Sequence, residues 1–385
     1  MSTSLLFTDV ELITPGTRIE RGWLLTKDSQ IAALGRGDAP ENIDAEVING
    51  AGKTLLPGFI DVHVHGGAGS EAMDATPDAL RTMAQFYAQH GVTSFLATTW
   101  TDSRERIQAA LETIAAAVGR QPNGATIIGA HVEGPYINPD RPGAQSPVHV
   151  RRAPRDEATA FLDLGVVRLM ALAPEFPENH WLIRECVKRG ITVSAAHTAA
   201  NYQQMQEAVA LGVTQATHTG NAMTGLHHRE PGTLGAVLTL PEINAEVISD
   251  NIHVHPAVVN LIYLAKGANR VILITDAVRG AGMPDGQYPL DDRIVTIRDG
   301  SVRLPDGTLA GSTLTMDRAL RNFIAATGQP LANVWQASSL NAARSAGVSG
   351  RKGSLEIGKD ADLVLVDANI NVQMTVAEGE IVYRP

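Results

Sequence analysis

Cysteine is almost absent from this 385-residue chain, in which Cys186 stands alone, so disulfide bonds cannot stabilise the fold. No apolar run approaches the length of a bilayer span, which argues against a membrane-spanning helix. The opening residues, Met1-Ser2-Thr3-Ser4-Leu5-Leu6, lack the basic region and the long apolar core of a secretory signal. Together these absences predict a soluble, cytoplasmic protein.

Positive charge is also scarce. The chain has 31 Lys and Arg residues against 41 Asp and Glu residues, a formal net charge of −10. This excess argues against nucleic acids and membrane surfaces as partners, because both carry negative charge. A small anionic ligand would need positive groups placed locally at its own binding site.

The middle of the chain alternates buried-strand patterns with helical patterns, which is typical of βα units around a parallel sheet. The eight predicted strands are residues 58–65, 94–98, 126–133, 166–172, 192–197, 214–218, 245–250 and 271–276. Helical spacing of apolar residues covers 77–90, 104–118, 179–189, 202–211 and 256–266. Eight such repeats predict an α/β fold, a (β/α)8 TIM barrel. Residues 279–312 contain Pro-Asp-Gly twice and predict hairpins inserted after the eighth strand.

Both ends of the chain consist of short strand patterns that cannot form a large core alone. In the N-terminal part these patterns cover residues 4–6, 10–13, 22–27, 31–34 and 46–49. In the C-terminal part they include 372–376 and 380–383. We therefore predict a β-sandwich domain built from residues 1–56 and 346–385, with the barrel formed by residues 57–345.

The first barrel strand ends in Asp61-Val62-His63-Val64-His65. Side chains of a strand alternate between its faces, so His63 and His65 point to the same side. Neutral imidazole is a common ligand of divalent metals, and a metal at the mouth of the barrel would explain the pair.

Other residues with metal-ligand chemistry follow at the ends of later strands. Active sites of TIM barrels lie at this rim. Each residue alone could be an ordinary hydrogen-bonded histidine or carboxylate, but their convergence without a cation would leave buried polar groups unsatisfied. The predicted metal-site residues are His63, His65, Glu133, His197, His218 and Asp276.

These residues resemble the amidohydrolase superfamily, together with the closing segment from Gly353 to Leu363, Gly-Ser-Leu-Glu-Ile-Gly-Lys-Asp-Ala-Asp-Leu. The resemblance covers essentially the whole chain. Narrower motifs resemble the deacetylases of N-acetylglucosamine 6-phosphate, and almost equally those of N-acetylgalactosamine 6-phosphate. These motifs are His131-Val132-Glu133-Gly134-Pro135-Tyr136, Asn221-Ala222-Met223, His228-Arg229-Glu230-Pro231-Gly232, Asp250-Asn251-Ile252-His253 and Leu273-Ile274-Thr275-Asp276-Ala277.

The resemblance implies a role for each matching residue. Glu133, His197 and His218 match the ligands of the metal that all members hold. His63 and His65 match an additional histidine pair, which is found only in members that can hold a second ion. It implies Zn²⁺, with Fe²⁺ as the alternative, and one or two ions per subunit. Asp276 matches the catalytic aspartate and His253 the histidine beside the substrate carbonyl. The substrate-binding matches are Gln145, Asn221, Ala222, Arg229, His253, Leu309, Ala310 and Gly311.

The implied function is metal-dependent hydrolysis of the N-acetyl group of N-acetyl-D-glucosamine 6-phosphate in amino-sugar catabolism. The resemblance also implies a homodimer in which Arg229 reaches the phosphate in the neighbouring site. The N-acetylgalactosamine epimer and another N-acyl amide stay open as substrates. A cyclic amidase is disfavoured because the fourth strand, residues 166–172, has no lysine to bridge two metals. A non-catalytic barrel would be expected to lack the metal ligands.

Two departures from the family pattern fall beside the predicted site. Thr219-Gly220 replaces a leucine and an aromatic residue, which predicts a more flexible loop beside the sugar. Asn251 replaces a glycine, a mild change because asparagine tolerates left-handed backbone angles.

Overall fold

Eight parallel strands close into a barrel in the computed structural model, which describes residues 4–385. In chain order they are β1 (Phe59–Val64), β2 (Val92–Thr99), β3 (Thr126–Glu133), β4 (Val167–Leu172), β5 (Thr192–Ala195), β6 (Val213–Ala216), β7 (Asn244–Ile248) and β8 (Val271–Ile274). Each strand pairs with the next. The backbone N–H of Asp276 donates to the carbonyl of His63 at 3.0 Å, joining the end of β8 to β1. The predicted (β/α)8 barrel is confirmed.

The barrel strands are buried on both faces, as expected for parallel strands covered by helices. Every residue of β1, β2 and β3 is buried. Most of these residues are apolar, so burial favours the closed barrel. The barrel strands also contain fully buried polar residues, which include Asp61, His63, His131, Gln215 and Glu246. These buried polar residues indicate where the functional site lies.

Helices cover the outside of the barrel. They are α1 (Pro77–Gln89), α2 (Arg104–Ala117), α3 (Arg155–Asp163), α4 (His180–Lys188), α5 (Tyr202–Leu211), α6 (Gly232–Thr239), α7 (Pro256–Lys266), α8 (Met316–Thr327), α9 (Leu331–Val334) and α10 (Leu340–Ser345). The five predicted helices are present, and α1 begins as its sequence indicates, with a Thr76 cap and a proline at the first position. Short 3-10 turns cover Ala72–Asp74, Pro177–Asn179 and Trp335–Ser338. Within residues 4–385, no helix combines the length and apolar character needed to cross a membrane.

Strands from both ends of the chain form one separate sheet. They are Leu5–Thr14, Thr17–Lys27, Gln30–Arg36, Glu46–Asn49, Thr54–Pro57, Leu363–Val366, Val372–Ala377 and Glu380–Tyr383. Thr54–Pro57 pairs antiparallel with Leu363–Val366, and the sheet has its own hydrophobic core, which includes Phe7, Leu24 and Leu55. Residues 1–3, with which the predicted N-terminal domain begins, lie outside the described residues.

One prediction in this sheet was wrong. Residues 4–6 and 10–13 were expected to be separate strands, but residues 5–6 and 10–13 belong to the single strand Leu5–Thr14. Its pairing with Thr17–Lys27 is irregular between Phe7 and Val10, where Asp9 has a left-handed φ of 51°. A β-bulge of this kind interrupts the sequence pattern without ending the strand.

The segment after β8 forms a four-stranded antiparallel sheet, which confirms the predicted hairpin insertion. Its strands are Gly286–Leu290, Arg293–Arg298, Ser301–Arg303 and Leu309–Ser312. The last strand returns to the barrel: Ser312 N–H donates to the carbonyl of Asp276 at 2.8 Å, and Val278 N–H donates to the carbonyl of Ser312 at 3.1 Å. The insertion therefore forms a wall beside the carboxyl end of β8.

Three further short strands lie outside this insertion. They are Gly66–Gly67, Ser70–Glu71 and Gly119–Arg120.

Candidate metal centre and substrate cleft

Two groups of metal-ligand side chains meet at the carboxyl ends of the barrel strands. The first trio is His63, His65 and Glu133, and the second trio is Glu133, His197 and His218. Within each trio the ligand atoms lie within 4.8 Å of one another. Glu133 belongs to both trios: its Oε1 is 3.2 Å from His197 Nε2 and 3.1 Å from His218 Nε2, and its Oε2 is 3.2 Å from His65 Nε2.

Asp276 completes this group from the end of β8. Its Oδ1 lies 3.4 Å from His63 Nε2 and 3.3 Å from His65 Nε2. All six residues predicted for the metal site are buried. The structure brings the six together, although they come from five different strands along 214 residues of chain (63–276).

Three of these residues have unusual backbone conformations just beyond a strand. The φ angles are 44° for His197, 32° for His218 and 49° for Asp276, all in the left-handed region that non-glycine residues rarely adopt. Such angles are held in place by the surrounding structure and are found often at functional sites. Here the change of direction carries each side chain inward over the end of the barrel.

The electrostatics of the centre keep its carboxylates ionised. Burial alone raises the pKa of Glu133, but His63, His197 and His218 outweigh burial and hold this pKa well below its usual range. Burial also raises the pKa of Asp276, and His63 and His65 more than compensate, so that this pKa is lowered as well. The centre thus combines anionic oxygen ligands with imidazoles.

The donor set fits a divalent cation. The Nε2 atoms of His63 and His65 are fully buried and have no hydrogen-bond partner among residues 4–385, although both face the carboxylates. Buried polar atoms without partners are uncommon unless a ligand or an ion satisfies them. Imidazole nitrogens and carboxylate oxygens together suit zinc, iron and similar metals.

Several residues that support the ligands were not identified from the sequence. Trp100 stacks on His65 with ring centroids 3.8 Å apart, and the carbonyl of Arg141 lies 3.0 Å from His197 Nδ1. Glu246 lies 3.1 Å from His63 Nδ1. His131 contacts the His63 ring edge to face, with centroids 4.5 Å apart. A charged residue inside a buried strand, as at Glu246, is the sequence signal that could have revealed one of them.

A cleft of about 200 Å³ opens above the metal centre. Its walls come from loops after the barrel strands and from the inserted sheet. Of the predicted substrate-binding residues, those that line it are Gln145, Asn221, Ala222, His253, Leu309 and Gly311. Both polar atoms of the Gln145 side chain already form hydrogen bonds. Nε2 donates to Glu133 at 2.6 Å, and Oε1 accepts from Thr101 N–H at 2.7 Å.

Two predicted residues lie elsewhere. Ala310 is fully buried behind the cleft wall. Arg229 is exposed in the loop between β6 and α6 and does not line the cleft, and its Nη1 is 2.8 Å from His228 Nε2. Within this subunit the guanidinium is therefore not part of the cleft.

His253 is oriented by a carboxylate three residues earlier. Its Nδ1 lies 2.7 Å from Asp250 Oδ2, and Asp250 Oδ1 accepts the backbone N–H groups of Ile252 and His253, each at 2.8 Å. Between them Asn251 has a φ of 66°, the left-handed angle that asparagine tolerates. This turn fixes the imidazole at the edge of the cleft.

Comparison with known proteins agrees with this geometry. The profile described as "Amidohydrolase family" matches residues 54–382. The chain is 37% identical to N-acetylglucosamine-6-phosphate deacetylase of Bacillus subtilis, covering 100% of this chain and 98% of that protein. It is 40% identical to N-acetylgalactosamine-6-phosphate deacetylase of Escherichia coli O157:H7, covering 94% and 96%.

A solved structure is similar over nearly the whole chain. It is a mutant N-acetyl-D-glucosamine-6-phosphate deacetylase of Mycobacterium smegmatis in complex with N-acetyl-D-glucosamine-6-phosphate, with a TM-score of 0.92, 32% identity and 99% of each chain covered. The barrel, the two trios and the extent of these matches lead to one assignment: this chain belongs to the amidohydrolase family.

Proposed function

We propose that this chain hydrolyses the N-acetyl group of N-acetyl-D-glucosamine 6-phosphate, producing D-glucosamine 6-phosphate and acetate. The observation that carries the proposal is the convergence of both trios and Asp276 beneath a cleft bordered by His253. The names of the full-length relatives and the complex of the Mycobacterium smegmatis enzyme support this substrate. We assign the reaction to cytoplasmic amino-sugar catabolism.

The cofactor in this proposal is a divalent metal, Zn²⁺ first and Fe²⁺ as the alternative, with one or two ions per subunit. Glu133, His197 and His218 would hold one ion, and His63, His65 and Glu133 the other, with Asp276 adjacent. A bound cation would lower the pKa of water and stabilise the oxyanion that develops on the amide carbonyl.

The chain's own residues handle the protons. Asp276, ionised beside the histidines, accepts the proton of the attacking water and then delivers it to the departing amine. His253 polarises the substrate carbonyl through Nε2. The contact between its Nδ1 and Asp250 Oδ2 orients the ring so that Nε2 faces the cleft.

Substrate binding in this proposal uses the cleft walls and a second subunit. Gln145, Asn221, Ala222, Leu309 and Gly311 contact the sugar phosphate through side chains and backbone, whereas Ala310 packs behind them. Arg229 of a neighbouring copy in a homodimer supplies the guanidinium that the 6-phosphate needs. We also retain the division into a barrel of residues 57–345 and a β-sandwich domain of residues 1–56 and 346–385, which the shared terminal sheet supports.

The epimer N-acetylgalactosamine 6-phosphate is a second candidate, because the relative from Escherichia coli O157:H7 with that name is 40% identical. One experiment tests both candidates. Acetate release is measured with each 6-phosphate, and the metal content of the same purified protein is determined. We expect metal-dependent acetate release and a higher kcat/KM for the glucosamine compound. A reversed preference would favour the epimer, and no release from either would contradict the proposal.

A further inference from the structure

Glu246 in β7 is fully buried directly behind the metal centre and has no role in the proposed chemistry. Its Oε2 lies 3.1 Å from His63 Nδ1 and 3.3 Å from the backbone nitrogen of His218. Its Oε1 accepts from Gln215 Nε2 at 2.5 Å. Burying a carboxylate costs free energy of folding unless partners such as these stabilise it. The presence of Glu246 at this position therefore requires a functional explanation.

The contact with His63 fixes which ring nitrogen carries the proton. Both carboxylate oxygens of Glu246 already accept N–H groups, from Gln215 and His218, so His63 Nδ1 is the donor in this contact. The ring nitrogen left to bind a metal is then Nε2. That atom faces Glu133 Oε1 at 3.5 Å and Asp276 Oδ1 at 3.4 Å, where the first trio converges. Glu246 thus presents His63 in the form that can bind a metal.

The other three histidines of the centre lack an equivalent partner. His197 Nδ1 contacts a backbone carbonyl, that of Arg141. The Nδ1 atoms of His65 and His218 have no hydrogen-bond partner in the part of the chain that the structure describes. Among these four residues, His63 is therefore the one whose ring is oriented by a carboxylate. Carboxylates in this position raise the basicity of a ligating histidine as well as fixing its orientation.

Glu246 is itself held on several sides. Ser345 Oγ, in α10, donates to Gln215 Oε1 at 2.7 Å, so that Gln215 must turn its Nε2 toward Glu246. The backbone carbonyl of Glu246 accepts Thr219 N–H at 2.8 Å, next to the ligand-type residue His218. These contacts fix the Glu246 carboxylate in position relative to both trios.

We propose that Glu246 is a positioning residue for the ion held by His63, His65 and Glu133: it fixes the tautomer of His63 and adds negative charge behind it. The inference rests on the proposed two-ion function of the centre. Loss of the Glu246 carboxylate should therefore reduce metal binding at the first trio much more than at the second trio, Glu133, His197 and His218.

The test is Glu246→Gln, which keeps the size of the side chain and removes its charge. Zinc content and zinc affinity are measured by elemental analysis and chelator competition. We expect one of the two ions to bind more weakly by on the order of 10- to 100-fold, with the other unchanged. Asp362→Asn is the matched control: this carboxylate is also buried but pairs with Lys352, so the variant should retain both ions.

A double-mutant cycle shows whether Glu246 acts through His63. In a His63→Gln background, Glu246→Gln should cause no further loss of zinc affinity. An additional loss of full size would overturn the proposal, as would wild-type zinc affinity in Glu246→Gln itself.

A measurement on the wild-type zinc protein keeps the proposal testable if the variant does not fold. Nitrogen-15 NMR of the histidine rings should show His63 protonated at Nδ1. A His63 ring protonated at Nε2, or a wild-type protein that holds only the ion at Glu133, His197 and His218, would overturn the proposal. Absence of deacetylase activity in a protein with two ions would contradict the proposed function and leave the role of Glu246 intact.

Discussion

At the scale of single residues, the site depends on side chains placed beyond the ends of strands. Glu133 ends β3 and is shared by both trios, while His197, His218 and Asp276 lie just beyond their strands with left-handed backbone angles. The barrel therefore supplies rigid strand ends, and one or two irregular residues set the direction of each ligand. Substitutions here should affect chemistry more than folding.

The substitution Asp276→Asn tests whether a site residue affects chemistry more than folding. Because both proposed proton transfers use this carboxylate, we expect turnover to fall by about 10² to 10⁴-fold, with the fold and most of the bound metal retained. Acetate release, metal analysis and circular dichroism measure the three quantities on one preparation. Near-normal turnover would remove Asp276 from the proposed role.

The ligand-type residues could be predicted from the sequence, and their supporting contacts could not. His63 and His65 stand one residue apart at a strand end, so strand alternation alone places them on one face. Glu246, in β7, and Trp100, directly after β2, contact these histidines, and the pairing register and side-chain rotamers that bring them together are tertiary properties. Arg141 contributes only its backbone carbonyl, for which its side chain gives no signal.

At the scale of elements, the strand Leu309–Ser312 connects the inserted sheet to the catalytic end of the barrel. Gly311 has a φ of 65°, and a Cβ atom there would lie 2.4 Å from Val278 Cγ1 and 2.8 Å from the carbonyl oxygen of Asp276. Both the backbone angle and the close approach require glycine.

Gly311→Ala should therefore both destabilise the protein and displace Asp276. Gly307→Ala is the control, because Gly307 also has a left-handed φ, of 91°, but has open space around its Cβ position. We expect the control to lose about 1–2 kcal/mol in the free energy of unfolding, and Gly311→Ala to lose more and to lose activity as well. Urea denaturation and acetate release measure both effects. Equal behaviour of the two variants would show that the close approach is unimportant.

Lys266, the last residue of α7, gives a pH-dependent prediction. Burial lowers the pKa of this lysine to about 8 in the folded protein, where its Nζ donates to the carbonyl of Leu240 at 2.7 Å. Between this value and the ordinary pKa of 10.5, the unfolded chain binds more protons than the folded chain, so the contribution of Lys266 to stability increases as the pH rises.

The comparison is with Lys266→Met. From pH 8 to pH 10.5, we expect wild-type protein to become more stable relative to this variant, as measured by urea denaturation at each pH. Taking the difference removes the contribution of other groups, including Cys186, whose pKa burial raises to about 12 in the folded protein. A difference that does not change with pH would contradict the lowered pKa.

The success of element prediction varied with the strength of the pattern. Tyr202–Leu211 and Pro256–Lys266 were predicted with the observed bounds because apolar spacing, caps and prolines agree. Arg155–Asp163 and Gly232–Thr239 were not predicted. The first is short and rich in charge, and the second begins with glycine and contains another, a composition that does not favour helices. Packing against the barrel stabilises them instead.

At the scale of the whole molecule, the proposed role of Arg229 would make catalysis depend on assembly. Its guanidinium is exposed and outside the cleft of its own subunit, while a protein of net charge −10 needs a cation for a phosphate. We predict that Arg229→Ala raises KM for the 6-phosphate substrate, with a loss of about 2–4 kcal/mol in transition-state binding. The kcat/KM for an unphosphorylated N-acetylhexosamine should change little. Equal losses for both substrates would indicate a structural role.

Mixed dimers examine whether this arginine acts across subunits. Arg229→Ala and Asp276→Asn proteins are each expected to be nearly inactive with the phosphorylated substrate. A heterodimer of the two has one site in which Asp276 and the partner's arginine are both intact, so mixing should restore part of the activity. If heterodimers form and no activity returns, the cross-subunit placement is wrong.

The terminal sheet has a consequence for the order in which the protein can form during synthesis. Thr54–Pro57 leads directly into β1, yet its antiparallel partner, Leu363–Val366, emerges from the ribosome about 300 residues later. Until then this edge of the sheet lacks its neighbour, and unpaired edges favour association between nascent chains. The terminal sheet can therefore be completed only after Leu363–Val366 has been synthesised, and the growing chain is prone to association until this strand pair forms.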